Sequence, residues 1–209
     1  MKLNYQDIQR LDKFYRTNLI TKISGLRTPF LIGSINEEGQ SNLAIFNSVV
    51  HIGANPPCLG FMMRPLTVRR DTYDNIITSR HFTINLVRED MIDEAHQTSA
   101  KYDKDTSEFA ECGFTETYID AFPAPYVEQC SIKIGMMFLE EHFITINETR
   151  LIVGQIEHLI LPDDSIDKEG HIDHSLLKST VVSGLDDYYS VIHKTKKAYA
   201  RVNDQSKAD

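Results

Sequence analysis

Asn42–Leu43–Ala44–Ile45–Phe46–Asn47–Ser48–Val49–Val50, then Asn55–Pro56–Pro57, Leu59–Gly60–Phe61–Met62–Met63–Arg64–Pro65 and Arg69–Arg70–Asp71–Thr72–Tyr73–Asp74–Asn75–Ile76, is the stretch whose reading decides the fold. Two apolar runs flank a proline pair, and a helix start carrying basic residues follows them. The first run, Asn42 to Val50, reads as a buried strand and Cys58 to Met63 as a second. Pro56–Pro57 holds the backbone extended and disfavours helix at Asn55, so the second strand is entered from a fixed direction. Asp71 is the expected N-cap of a short helix over Thr72 to Ser79. This order gathers strand-end backbone, guanidinium groups and a helix N-terminus around one pocket, which suits a flat aromatic ligand with a phosphate tail.

Outward from there, the pattern stays β-rich. Phe30 to Ile35 and the returning run form a hairpin around Asn36–Glu37–Glu38–Gly39, with Gly39 free to take positive φ. In His81 to Val87, Phe82, Ile84 and Leu86 alternate with Thr83 and Asn85. Ser131 to Ile146 and Leu151 to Leu161 are two longer strands, the first expected to bend or bulge near Glu140–Glu141–His142. Helical spacing occurs at Ile8, Leu11, Tyr15 and Leu19, and again over Glu89 to Ala100. Tyr102 to Pro125 and Pro162 to His174 read as loops. Strands joined by short turns, with few helices, favour an antiparallel barrel over a doubly wound parallel sheet. The expected division is an N-terminal helical extension (1–22), a barrel domain (23–193) and a polar tail (194–209).

Composition narrows the function. At 209 residues, with 41% hydrophobic side chains, the chain can bury about 70% of its unfolded surface. A net charge of −8 argues against nucleic acid as a partner, so any anionic ligand must be held by a local cluster of donors. The three cysteines, Cys58, Cys112 and Cys130, form no CxxC pair, and no run reaches the length of a membrane span. A soluble, cytoplasmic protein with reduced, buried thiols is expected.

Each candidate site residue has a physical reason. A phosphate needs cations or amides: Arg64 offers a bidentate fork, Thr67 a hydroxyl, Arg69 or Arg70 a second charge, and the helix start at Thr72 its free amides. These arginines could instead pair with Asp71 or Asp74; three within seven positions beside a helix start favour the phosphate. Phe46, Asn47, Ser48 and Val49 offer a ring edge backbone donors and acceptors, although Asn47 and Ser48 could simply satisfy a barrel rim. Ser99 and Tyr102, in Thr98–Ser99–Ala100–Lys101–Tyr102 after a helix, could close over the ligand; a plain helix end with Lys101 against the dipole explains them nearly as well. His51 lies close to the proposed pocket. Tyr188 and Tyr189 suit an interface better than a ring stack. His171–Ile172–Asp173–His174 lacks further ligands at persuasive spacing, so no metal is expected.

Ser41 to Val49 resembles the "NLAPFS-F" strand of the flavin reductase-like family, FMN-binding split barrels. The resemblance continues through Asn55–Pro56–Pro57, Arg70–Asp71–Thr72–Tyr73–Asn75–Ile76 and His81 to Leu86. It extends to Ser107–Glu108–Phe109 with Gly113–Phe114, Val153–Gly154–Gln155–Ile156 and Ser183–Gly184–Leu185–Asp186–Asp187–Tyr188–Tyr189. It implies a mainly β, six-stranded antiparallel Greek-key split barrel with a few peripheral helices. It also implies a homodimer with flavin near the subunit interface and transfer of electrons from NADH or NADPH to FMN, with FAD possible. A monooxygenase or other acceptor would take those electrons onward. No nucleophile or general acid is required, so no catalytic side chain is assigned, nor any metal ligand. Leu26–Arg27–Thr28–Pro29 stands where many relatives carry Pro–Arg–Pro, and Ile45 replaces the usual proline. A flavin-binding module without catalysis, or a flavoredoxin-like carrier, is the rival reading. An amine oxidase on a related barrel is the third.

Overall fold

The computed structural model describes residues 1–103 and 106–200. Two helices open the chain, α1 (Tyr5–Arg10) and α2 (Lys13–Lys22). Apolar spacing alone predicts one continuous helix across them. The chain breaks at Leu11, whose backbone is extended, and Asp12 starts a new helix by accepting from the amides of Phe14 and Tyr15. Asn4 and Asp7 cap α1 reciprocally.

The strands follow as β1 (Leu26–Arg27), β2 (Phe30–Ile35), β3 (Ser41–Phe46), β4 (Val50–Ala54) and β5 (Pro57–Met63). After helix α3 (Asp71–Ser79) come β6 (His81–Leu86), a 3-10 turn at Glu89–Met91, α4 (Ile92–Gln97) and α5 (Glu108–Glu111). Then come β7 (Glu116–Thr117), β8 (Tyr126–Val127), β9 (Lys133–Ile144), β10 (Thr149–Ile160), β11 (Thr180–Ser183) and β12 (Asp187–Ser190).

Seven strands make the main antiparallel sheet, in the order β3-β2-β6-β9-β10-β5-β4. The class is the mainly β one expected, with one more strand than the six anticipated. The addition arises because the run from Asn42 to Val50 is not one strand. It stops at Phe46, passes through Asn47–Ser48–Val49, and resumes as β4 against β5. At that break the sheet curls on itself: Phe46 packs edge-on against Phe61 of β5, ring centroids 4.9 Å apart. The Met62 amide donates to Ser48 Oγ at 3.1 Å. Contacts between the first and sixth strands of the order are what make the sheet a barrel.

The bulge expected near Glu140 is present. The β9–β10 register steps from Glu140 opposite Val153 to Phe138 opposite Gly154, leaving Leu139 as the extra residue. Inside the barrel, Ile32, Phe61, Phe82, Ile84, Met136 and Ile152 form the core with Ile76 of α3. A second layer packs Leu31, Leu43 and Val87 beneath Ala95, Phe109 and Phe114. Leu31 and Ile32 point to opposite faces of β2 and are both fully buried, so the strand is covered on both sides. The span from Tyr102 to Pro125 is more structured than a loop, because Phe109, Phe114 and Phe122 anchor it. Of the polar tail, residues 194–200 carry no helix or strand, and 201–209 lie outside the described residues.

Candidate functional site

The break between β3 and β4 and the connection from β5 to α3 make up the candidate site. At the break, the side chains are committed to holding the rim. Asn47 Nδ2 donates to the carbonyl of Gly184, tying the segment to the β11–β12 turn. Ser48 Oγ is engaged with Met62 of β5. The rim role weighed for these two residues is therefore the one their side chains perform, and Val49 lines a groove described below.

The connection to α3 holds the cations. Arg64 is exposed and makes no ion pair or hydrogen bond among the described residues; Thr67 is also exposed. Arg69 is paired with Asp71, as the competing reading allowed for one arginine. Arg70 is half-buried, and its Nε is enclosed with no hydrogen-bond partner. The expected N-cap at Asp71 is corrected: Arg70 occupies the cap position and the cap has no side-chain hydrogen bond. Asp71 is paired with Arg69, so the amides of Asp71 and Thr72 have no side-chain cap, while the Tyr73 amide is bonded to the Arg70 carbonyl at 2.9 Å. Thr72 is buried and its Oγ1 accepts from Asn42 Nδ2 at 2.9 Å, so its hydroxyl braces α3 against β3.

Ser99 and Tyr102 sit apart from the rim segment. Ser99 is exposed, and its amide closes a turn onto the carbonyl of His96. Tyr102 Oη accepts from Gln97 Nε2 at 3.0 Å and lies 3.6 Å from Cys112 Sγ. Tyr102 nevertheless reaches the α3 region, because it shares a small polar cleft with Asn42, Asp71, Asn75 and Glu108.

That cleft contains residues that sequence reasoning missed. Ser34 Oγ accepts from Asn75 Nδ2 at 3.1 Å, and Asn42 completes this buried amide–hydroxyl cluster between β2, β3 and α3. Glu108 Oε2 accepts the Leu43 amide at 3.1 Å, and burial pushes its carboxyl above the usual range. In the sequence Ser34 and Asn42 are polar residues inside apolar strands, which reads equally well as surface alternation, and Asn75 and Glu108 lie in helical segments where a polar residue carries no such signal.

A groove of about 390 Å3 opens at the other side of the rim. Phe30, Leu59, Leu86, Ile132, Ile134 and Leu159 supply apolar lining; Arg27, Thr28, His51 and His174 stand around it. Arg27 is anchored by donating to the Thr21 carbonyl at 2.8 Å, and its Nε is buried without a partner. His174 is held by Ser179 Oγ at 2.9 Å. On the adjoining loop, Asp167, Glu169 and His171 approach one another, and the Lys196 ammonium 3.3 Å from Glu169 supplies their counter-charge. Cys58, Cys112 and Cys130 are all free and buried, and burial pushes the Cys130 thiol up to about 12. Among the described residues, no helix is long and apolar enough to cross a membrane.

The fold is a mainly β antiparallel barrel with a few peripheral helices, and comparison with known proteins gives the family. The flavin reductase like domain matches residues 24–177. The chain belongs to that family, whose chemistry is flavin-linked oxidoreduction. A split-barrel-domain protein of Shewanella frigidimarina NCIMB 400, assigned as a flavin reductase, superposes with a TM-score of 0.92 at 36% identity, covering 96% of this chain and 100% of that one. Component B of nitrilotriacetate monooxygenase from Bacillus cereus gives 0.82 at 19% identity, covering 94% and 98%. An FMN-binding protein of Thermus thermophilus gives 0.71 at 17%, covering 85% and 93%. These last two likenesses speak to the fold.

Proposed function

We infer that this protein is an NAD(P)H-dependent flavin reductase that binds FMN between the β3–β4 rim and the N-terminus of α3, in a homodimer. The observation that carries the reading is that N-terminus. It has no side-chain cap, it follows a connection carrying Arg64, Thr67, Arg69 and Arg70, and two of those cations lack a carboxylate partner among the described residues. Uncapped amides plus guanidinium groups fit a phosphomonoester, and they offset the unfavourable field of a chain with net charge −8.

The rim segment suits the ring. With the Asn47 and Ser48 side chains engaged on Gly184 and Met62, what Phe46 to Val49 offers a ligand is backbone, held in place at both ends. Bound flavin would accept a hydride from the nicotinamide. The protein's part is to orient the two rings, which requires an open face and close approach rather than an acid or a nucleophile. Ser99 and Tyr102 would border the phosphate side, Tyr102 through the cleft it shares with Asp71 and Asn75. The bare β4 edge, with Val50 and Ile52 exposed, supports the dimer. A separate oxygenase is one acceptor to which the reduced flavin would pass.

An anaerobic visible spectrum of the FMN-reconstituted protein, taken before and after NADH and then NADPH, tests the reading. Bleaching of a protein-associated flavin band, faster than with free FMN, is expected and names the donor. A bound flavin that neither nucleotide bleaches would instead make the protein a carrier or a non-catalytic binding module.

A further inference from the structure

Two surfaces of this chain are left unfinished. The first is its N-terminal arm, residues 1–23. No residue of α1 or α2 is buried, and Phe14 and Ile23 are 76% and 73% exposed. The arm is tied down at its base: Lys22 pairs with Asp186 and Asp187, and Arg27 holds the Thr21 carbonyl. The second is the 390 Å3 groove, whose apolar lining includes Leu159, 53% exposed. The groove begins at Arg27 and Thr28, immediately after the arm, yet no arm residue lines it.

We propose that the arm of one copy seats on the groove of a second copy, reciprocally across a two-fold axis. Charge complementarity supports this occupant. The arm carries Lys2, Arg10, Lys13, Arg16 and Lys22 against only Asp7 and Asp12, whereas the whole chain has a net charge of −8. The loop that gives the groove Ile172 and His174 also carries Asp163, Asp164 and Asp173, with Asp167 and Glu169 already met by Lys196, so the loop at one end of the apolar floor is acidic. A basic arm with exposed Phe14, Ile20 and Ile23 matches both features. The groove is too small for a helix, so α2 lies across it and inserts side chains. The groove also runs along Val50 and His51 of the bare β4 edge, so arm and edge form one continuous patch. An isologous arrangement buries both unfinished surfaces twice over. This rests on the dimer reading above. Because Val49 belongs to the groove wall and to the rim segment, the partner's arm would also firm the ring end of the flavin site.

Complementation between two defective chains tests it, by sedimentation equilibrium with FMN present. Phe14→Asp spoils the arm and Leu159→Asp spoils the groove; both residues are exposed in the isolated chain, so each variant should fold, and Ile23→Asp serves as a second arm variant. Each variant alone should dimerise at least tenfold more weakly than the wild type. An equimolar mixture of Phe14→Asp and Leu159→Asp should recover much of the loss, because the heterodimer keeps one intact arm on one intact groove. Wild-type dimerisation in the variants, or weakening in both with no recovery on mixing, overturns the pairing while leaving the dimer reading standing. Loss of FMN binding in Leu159→Asp with dimerisation unchanged would make the groove a ligand pocket and also overturns it. A wild-type protein that stays monomeric at micromolar concentration removes the dimer reading itself.

Discussion

At one edge of the seven-stranded sheet, β3 lies under α4 and α5; at the other, β4 lies bare. The covered edge is finished within the chain. Ser41, Asn42 and Leu43 are buried, the Leu43 amide donates to Glu108, and Ser41 Oγ is bonded to Ser107 and Glu116. The bare edge shows Val50 and Ile52, 48% and 46% exposed, and nothing in the described chain covers them. Exposed apolar edge strands invite pairing with another chain, and proteins that must stay monomeric blunt them. The difference separates two kinds of surface: one whose polar groups meet partners within the fold, and one whose apolar side chains are left open.

The largest effect expected from this contrast is on stability. Leu43→Ala removes a fully buried side chain beneath α5 and should cost about 2–5 kcal/mol in urea unfolding. Val50→Ala, at the bare edge, should change the stability of the dilute monomer by no more than about 0.5 kcal/mol. Comparable losses at both positions under dilute conditions would mean that β4 is already packed, and the contrast would fail.

The next effect concerns the ligand, on the side of the molecule where α3 braces the covered edge. Arg64→Ala should weaken FMN by about 1.5–3 kcal/mol, the range for a charge-assisted hydrogen bond, and leave riboflavin nearly unchanged. Titration of the two ligands by flavin fluorescence makes the comparison. Equal losses would show that Arg64 acts on the fold and that the phosphate lies elsewhere.

Local periodicity made the framework legible. His81 to Leu86 alternates cleanly and is a strand over that range; Asn36 to Gly39 makes its turn with Gly39 at a φ of 81°. The break in the strand from Asn42 to Val50 was not legible, because what stops it is Ser48 reaching Met62, a contact set by curvature rather than by neighbours in sequence. Asp71 had the chemistry of an N-cap but lost that role to an ion pair with Arg69 two residues away. The buried polar set of Ser34, Asn42, Asn75 and Glu108 was invisible for a related reason. Whether a polar side chain in a strand faces water or a partner depends on what packs over it, and α3 and α5 arrive from 30 or more residues along the chain.

The smallest expected effect tests what covers the finished edge. Burial raises the Glu108 carboxyl above its ordinary value of 4.5 more than the Leu43 amide lowers it, so the folded state holds this proton more tightly than the unfolded one. Such a group stabilises least when ionised: as pH rises from the ordinary value through the raised one, its contribution falls. Glu108→Gln can still accept from the Leu43 amide and has no charge to bury. Thermal midpoints of wild type and variant should therefore lie close together at acid pH and separate in the variant's favour as pH approaches neutrality. The difference should be modest, because the ionised carboxylate still accepts from that amide. A variant that falls behind as pH rises would mean that the ionised carboxylate is what fastens α5 to β3. The covered edge would then be held by charge rather than closed by packing, and the contrast with β4 would be one of degree.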